Sequence, residues 1–225
     1  MKRFILIILV IFTGSLCAMA QDNAPIEKHT MYLQVGVATP KGDFGSADFE
    51  DDYPDFADQG PLLQAGYRYR FSKFFAAGGS VTYRYNKFRM DAFVDDSDDL
   101  VTDKEARGWQ SAMALADMYA LYPLPDETTI LYAKASAGAS VNRSASWRIN
   151  TVYGSLSMPA DNASASAFGW AVGIMLRAKP VELYVESGML YTKPAFTVAG
   201  AQGNRFKHKQ AMNTLHVSLG VSYTL

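Results

Sequence analysis

Leu63-Gln64-Ala65-Gly66-Tyr67-Arg68-Tyr69-Arg70-Phe71 is followed, after Ser72-Lys73, by Phe74-Phe75-Ala76-Ala77-Gly78-Gly79-Ser80-Val81-Thr82-Tyr83-Arg84-Tyr85, and this stretch decides the fold of the 225-residue chain. Successive side chains of a β-strand point to opposite faces. In the first run one parity is Leu63, Ala65, Tyr67, Tyr69, Phe71 and the other is Gln64, Gly66, Arg68, Arg70. In the second, Phe75, Ala77, Val81, Tyr83 and Tyr85 stand against Ala76, Gly78, Ser80, Thr82 and Arg84. The stretch therefore reads as a hairpin with one apolar, aromatic-tipped face and one face of glycine, small polar and charged residues.

The same asymmetry recurs outward in both directions. Met31, Leu33, Val35, Val37 oppose Tyr32, Gln34, Gly36, Ala38 near the start. Leu131, Ala133, Ala135, Ala137, Val141 oppose Tyr132, Lys134, Ser136, Gly138, Asn142. Phe168 to Arg177 and Glu182 to Tyr191 repeat it, and Leu215, Val217, Leu219, Val221, Tyr223, Leu225 oppose Thr214, His216, Ser218, Gly220, Ser222 at the end. Trp109 to Tyr122 is apolar on both parities and, in isolation, would also make a helix. The total is eight strand segments, an even number. The connections alternate: Ser72-Lys73, Pro123 to Thr128 and Lys179-Pro180 are short, whereas Pro40 to Gly60, Lys87 to Gly108, Arg143 to Ser164 and Lys193 to Lys209 are long. Long loops at one end and tight turns at the other is the arrangement of an outer-membrane barrel.

The ends and the composition agree. Lys2-Arg3, the apolar run Phe4 to Phe12, and small residues closing on Ala18-Met19-Ala20 have the order of a cleavable secretory signal, with Ala18 and Ala20 at the processing site. The expected organisation is signal peptide 1–20, a short N-terminal segment 21–29 and a barrel domain 30–225. The single cysteine, Cys17, falls inside the signal, so the mature chain would have no disulfide and no cysteine chemistry. Losing Lys2 and Arg3 moves the formal net charge from −1 to about −3, which gives nucleic acid no reason to bind. A content of 49% hydrophobic and 13% aromatic residues with a mean hydropathy of −0.05 is what alternating strands produce.

Alternation alone does not say which face is inside. The apolar face carries repeated aromatics, which suit membrane-interface girdles, and the small polar face suits a narrow lumen filled by side chains. A soluble, lipocalin-like periplasmic carrier would need the reverse. In the ambiguous segment Asp117 settles the orientation, because a carboxylate facing lipid would cost up to a few kcal/mol. Centring the following turn between Pro125 and Asp126 sets Asp117 opposite Lys134. The same construction about Lys179-Pro180 sets Arg177 opposite Glu182. Arg68, Arg70, Arg84, Glu186 and His216 are further polar groups expected in the lumen.

On these residues the chain resembles the outer-membrane β-barrel domain family, the small eight-stranded OmpA/OmpX-type barrels often labelled porin family. Ser218-Leu219-Gly220-Val221-Ser222-Tyr223-Thr224-Leu225 is similar to that family's terminal insertion signal, with Ser218, Gly220, Tyr223 and Leu225 at its marked positions; Leu225 stands where an aromatic residue is commonest. Gly66 to Phe71 with the strand Phe74 to Tyr85 is the second likeness. The resemblance covers about Thr30 to Leu225. It implies an all-β, eight-stranded antiparallel up-and-down transmembrane barrel behind a signal peptide, integral to the outer membrane of a Gram-negative bacterium. The resemblance does not fix an activity. The expected partners are outer-membrane lipid, lipopolysaccharide and the assembly machinery, with an unidentified partner at the surface; no cofactor, catalytic residue or metal is expected.

Two motifs invite other readings. His216-Val217-Ser218 resembles the His-x-Ser of outer-membrane lipid A deacylases, but the alternation turns both residues inward, and no acid follows Ser218. Asp95-Asp96-Ser97-Asp98-Asp99 suggests calcium, yet counting from Asp95 puts Leu100 where an EF-hand needs glycine and Ala106 where it needs an acid. Most of the chain's 22 acids lie in the first two long loops, whereas the fourth has Lys193, Arg205, Lys207 and Lys209 and no acid.

Overall fold

A computed structural model describes residues 29–49, 54–94, 100–126, 128–178, 180–199 and 205–225. The expected signal peptide with Ala18 and Ala20, most of segment 21–29, and the Asp95–Asp99 run lie outside the described residues. Eight strands close into one antiparallel barrel: β1 (His29–Pro40), β2 (Gly60–Arg70), β3 (Phe75–Asn86), β5 (Trp109–Pro123), β6 (Thr129–Arg143), β9 (Asn162–Ala178), β10 (Val181–Thr192) and β13 (Thr214–Thr224). Each pairs with its chain neighbours, and β1 meets β13 from Thr30 opposite Thr224 to Pro40 opposite Thr214. The barrel itself leaves no strand edge open, the condition for a sheet in hydrocarbon. Among the described residues no helix is long and apolar enough to cross a membrane, so any spanning is done by strands.

The alternation sets the two faces. Leu33, Val81, Val172, Leu183 and Leu219 point outward and are half-exposed or more, forming an apolar belt around the wall. Phe71, Tyr122 and Tyr223 are exposed beside the short turns and the chain end. Such a belt suits lipid and would be an aggregation surface in water. The soluble-carrier alternative fails here, because its ligand-lining face is the outer one. The strand Trp109–Pro123 is oriented by Asp117: Met113, Leu115, Asp117, Tyr119 and Leu121 are buried, while Ala112, Ala114, Ala116, Met118 and Ala120 are exposed. Its helical potential loses because both neighbours offer unpaired strand edges, and pairing them satisfies every backbone group.

The described parts of the long connections are folded, which their sequence composition did not announce. β4 (Val101–Arg107), β7 (Ser146–Thr151) and β8 (Gly154–Met158) make a three-stranded sheet from two different connections. β11 (Ala195–Ala199) and β12 (Arg205–Lys209) make a hairpin, and the one-turn helix α1 (Met90–Phe93) and a 3-10 turn, Gly42–Gly45, complete the crown. Beneath it Phe44, Ala57, Trp109, Ala145, Phe196 and Met212 form a buried apolar cluster that caps the barrel.

Candidate functional site: the charged lumen and its cover

Inward residues fill the barrel in tiers. At the short-turn end, Glu182 of β10 accepts from Arg68 of β2 at 2.5 Å, from Arg177 of β9 at 3.3 Å and from the Ser222 hydroxyl at 3.0 Å. Arg177 lies directly opposite Glu182 in the β9–β10 register. The Arg68 guanidinium also sits 5.7 Å from the Tyr119 ring centre. One guanidinium thus gains a carboxylate and an aromatic face in a site closed to water. Arg70 is buried and inward at the same level.

Midway along the axis, Glu186 is the hub. Its Oε1 accepts from Lys134 Nζ at 2.6 Å and Gln34 Nε2 at 3.0 Å, and its Oε2 from the Tyr132 hydroxyl at 2.9 Å. His216 Nε2 lies 3.4 Å from Oε1. Asp117 accepts instead from the hydroxyls of Ser136, at 2.5 Å, and Tyr32, at 3.3 Å.

The expected Asp117–Lys134 pair does not form. In the β5–β6 register Asp117 is opposite Ser136 and Lys134 opposite Tyr119, a slip of two residues from the expected pairing. The cause is the turn. Pro123 pairs with Ile130, and the Asp126 carboxylate accepts from the backbone N–H of Thr129 and from the hydroxyls of Thr128 and Thr129. These bonds, above all those from Thr129, hold the exposed Asp126 carboxyl below its usual range. This side-chain cap fixes a turn centred one residue beyond Pro125-Asp126. A two-residue slip keeps every side chain on its face, so the inward placement of Asp117 and Lys134 is unaffected.

Towards the long-loop end, Leu62, Met113, Leu115 and Leu190 make an apolar layer. Arg84 then closes the lumen: only 1% exposed, it donates to Thr214 Oγ1 at 2.5 Å and Ser111 Oγ at 3.1 Å, with Phe44 stacked 5.6 Å away. Among the described residues Arg84 makes no ion pair. His216 and Ser218 are both buried in the lumen, and Ser218 accepts from Gln34 at 2.5 Å. The pair therefore faces away from lipid, against the arrangement a lipid A hydrolase would need.

The sequence suggests room for a neighbouring backbone or aromatic ring at the inward Gly220, and the structure extends this to three sites. Three inward tyrosines lie over glycines directly opposite on the next strand: Tyr32 over Gly66, Tyr132 over Gly173 and Tyr184 over Gly220. A Cβ at Gly66, Gly173 or Gly220 would come within 2.5, 2.5 or 2.2 Å of the tyrosine ring. The signal was a tyrosine and a glycine on the same inward parity of neighbouring strands.

No protein-family model and no curated protein matches the sequence. Among solved structures, the solid-state NMR structure of outer membrane protein AlkL in DMPC lipid bilayers aligns over 91% of this chain and 93% of its own, at 15% identity and a TM-score of 0.51. Neisserial surface protein A (NspA) aligns over 89% and 98% at 12% identity and 0.49, and Ail, the attachment invasion locus protein of Yersinia pestis, over 88% and 99% at 16% and 0.46. At these identities the likeness is one of fold. The closed eight-stranded antiparallel barrel, girdled by its apolar belt, defines an integral outer-membrane β-barrel protein.

Proposed function

We propose that this protein is a non-enzymatic envelope barrel whose lumen is a structural plug and whose working surface is the folded crown of long loops. The observation that carries the reading is the Glu182 and Glu186 network, which ties β1, β2, β6, β9, β10 and β13 together across the axis. A transport pore needs a continuous wet path, and an eight-stranded barrel is just wide enough for side chains such as these to fill. The crown, by contrast, has strands in three of its four long connections and an aromatic cap beneath them, as a surface-interaction role requires. Lipopolysaccharide, outer-membrane lipid and a surface partner are the contacts expected of it. The likeness to OmpX-type barrels supports this assignment, with Ser218, Gly220, Tyr223 and Leu225 as the segment read by the assembly machinery. Fractionation tests it: the protein should remain with outer membranes after a carbonate wash and migrate differently on gels before and after heating. Recovery in the soluble periplasm would refute it, and altered lipid A acylation on expression would restore the hydrolase reading.

A further inference from the structure

All four long connections converge on a cavity of about 650 Å³ in the crown. One wall is aromatic throughout: Phe56 and Phe93 meet edge to face at 5.1 Å, and Phe93 leans on Trp147 at 5.2 Å. Trp109 and Phe196, 6.0 Å apart, are a second aromatic pair in the lining. These rings pack in pairs and line the cavity together. The volume and the apolar lining are those of a small-molecule site, where a few placed polar groups set orientation.

Such a group lines the cavity. Asp55 is 6% exposed; its backbone carbonyl accepts from Trp109 Nε1 at 3.2 Å, and its carboxylate accepts from Gln210 Nε2. Gln210 Oε1 is in turn 3.0 Å from His208 Nε2. Burial, and then the negative charge of Asp43, push the Asp55 carboxyl up to about 8. The other ionisable groups lining the cavity are Asp161, Arg205 and His208. Asp161 already accepts from the Thr197 backbone N–H at 2.6 Å. A buried acid lining an aromatic cavity is stabilised by a cation, which the rings also attract.

We propose that this cavity binds a small apolar amine, its ammonium on the Asp55 carboxylate and its hydrocarbon body against the Phe93–Trp147 and Trp109–Phe196 pairs. The inference extends the reading of the crown as the working surface. The ammonium enters already protonated, and the proton held by Asp55 passes to solvent.

The test uses the full protein in phospholipid nanodiscs with 1-adamantylamine, 1-adamantanol and adamantane-1-carboxylate as probes. These do not absorb where tryptophan emits, and Trp109 and Trp147 are two of the chain's three tryptophans. The amine should shift the emission saturably and bind at least about tenfold more tightly than the alcohol, with the carboxylate weakest. Amine affinity should rise from pH 6 to about pH 8 and level off above it, while alcohol affinity stays flat. Asp55→Asn, which keeps an oxygen for Gln210, should erase both the amine preference and the pH dependence. Phe93→Ala should weaken amine and alcohol alike, and it keeps the inference testable if the Asp55 variant misfolds. Equal binding of amine and alcohol, an unchanged preference in Asp55→Asn, or no saturable shift with any probe would overturn the proposal. The fractionation outcome is independent of all three.

Discussion

Lys134 of β6 reaches Glu186 of β10 at 2.6 Å by passing over β9, whose inward residues at that level, Ala171 and Gly173, are small enough to let the two chains meet. Both groups are almost wholly buried. Taking either away strands a charge and, for Glu186, also orphans donors on Gln34 and Tyr132. Breaking such a pair costs roughly 3–5 kcal/mol, whereas replacing both partners by apolar groups is often near neutral. Lys134→Ala and Glu186→Ala should each destabilise the barrel by that order in urea unfolding from lipid vesicles. Lys134→Met with Glu186→Leu should recover much of the loss. Two mild single variants would mean that the lumen is wet and the charges hydrated.

The same packing sets the expected conductance. With Arg68, Arg84, Lys134, Arg177, Glu182 and Glu186 projecting into a bore of this strand number, planar-bilayer recording should show no steady, porin-sized channel from the monomer. A double change at Lys134 and Glu186 to Ala should raise leak current before it abolishes folding.

Gly220 is read as part of an insertion signal, and its position over Tyr184 gives it a packing task too. A methyl group there would press on the ring, and overpacking costs typically 1–3 kcal/mol. Gly220→Ala should lower unfolding stability in lipid by that amount, and Tyr184→Ser in the same chain should restore it. If Gly220→Ala instead reduces yield in cells while purified barrels keep full stability, recognition outweighs packing.

Closure gives the C-terminus its own prediction. Tyr223 pairs with Met31 and Val181, and the Leu225 N–H donates to the His29 carbonyl at 2.9 Å. Deleting Tyr223 to Leu225, or Tyr223→Asp, should leave exported protein that is degraded or aggregated rather than inserted, while Leu225→Phe is tolerated. A normal heat-dependent gel shift in the truncated chain would remove the segment from the assembly pathway.

The crown should respond to pH through Asp55. Its carboxyl titrates near 8 when folded but near 3.8 when free, so the folded loops hold a proton that the unfolded chain releases. Loop stability from this group is full below about pH 4, falls across the window up to pH 8, and is level above it. Limited proteolysis should therefore cut the loops faster at pH 9 than at pH 6 in membranes, and Asp55→Asn should flatten the difference. An unchanged rate would place Asp55 in water.

Strand number, face assignment and loop sorting were legible because alternation of Leu33, Val35 and Val37 with Gln34 and Gly36 reports burial directly. The Arg177–Glu182 neighbours were legible because Ala178 and Val181 leave almost no freedom to the turn. The Lys134 partner was not, since it depends on the Asp126 cap and on a contact over β9 that lies 52 residues away. The Asp55 cavity was less legible still: its walls come from four connections with no shared periodicity.

The tyrosine–glycine contacts bear on how the barrel finds its alignment. Hydrophobic patterning forbids a slip of one residue, because it would turn every face over, but it is blind to a slip of two. Shifted by two, Tyr184 would land on Ser218 or Ser222, Tyr32 on Gln64 or Arg68, and Tyr132 on Ala171 or Met175, all of which carry a Cβ where the ring must lie. Three ring-shaped notches placed around the circumference thus work as keys, each admitting one alignment of its two strands, and together they supply the half of the assembly code that alternation leaves out.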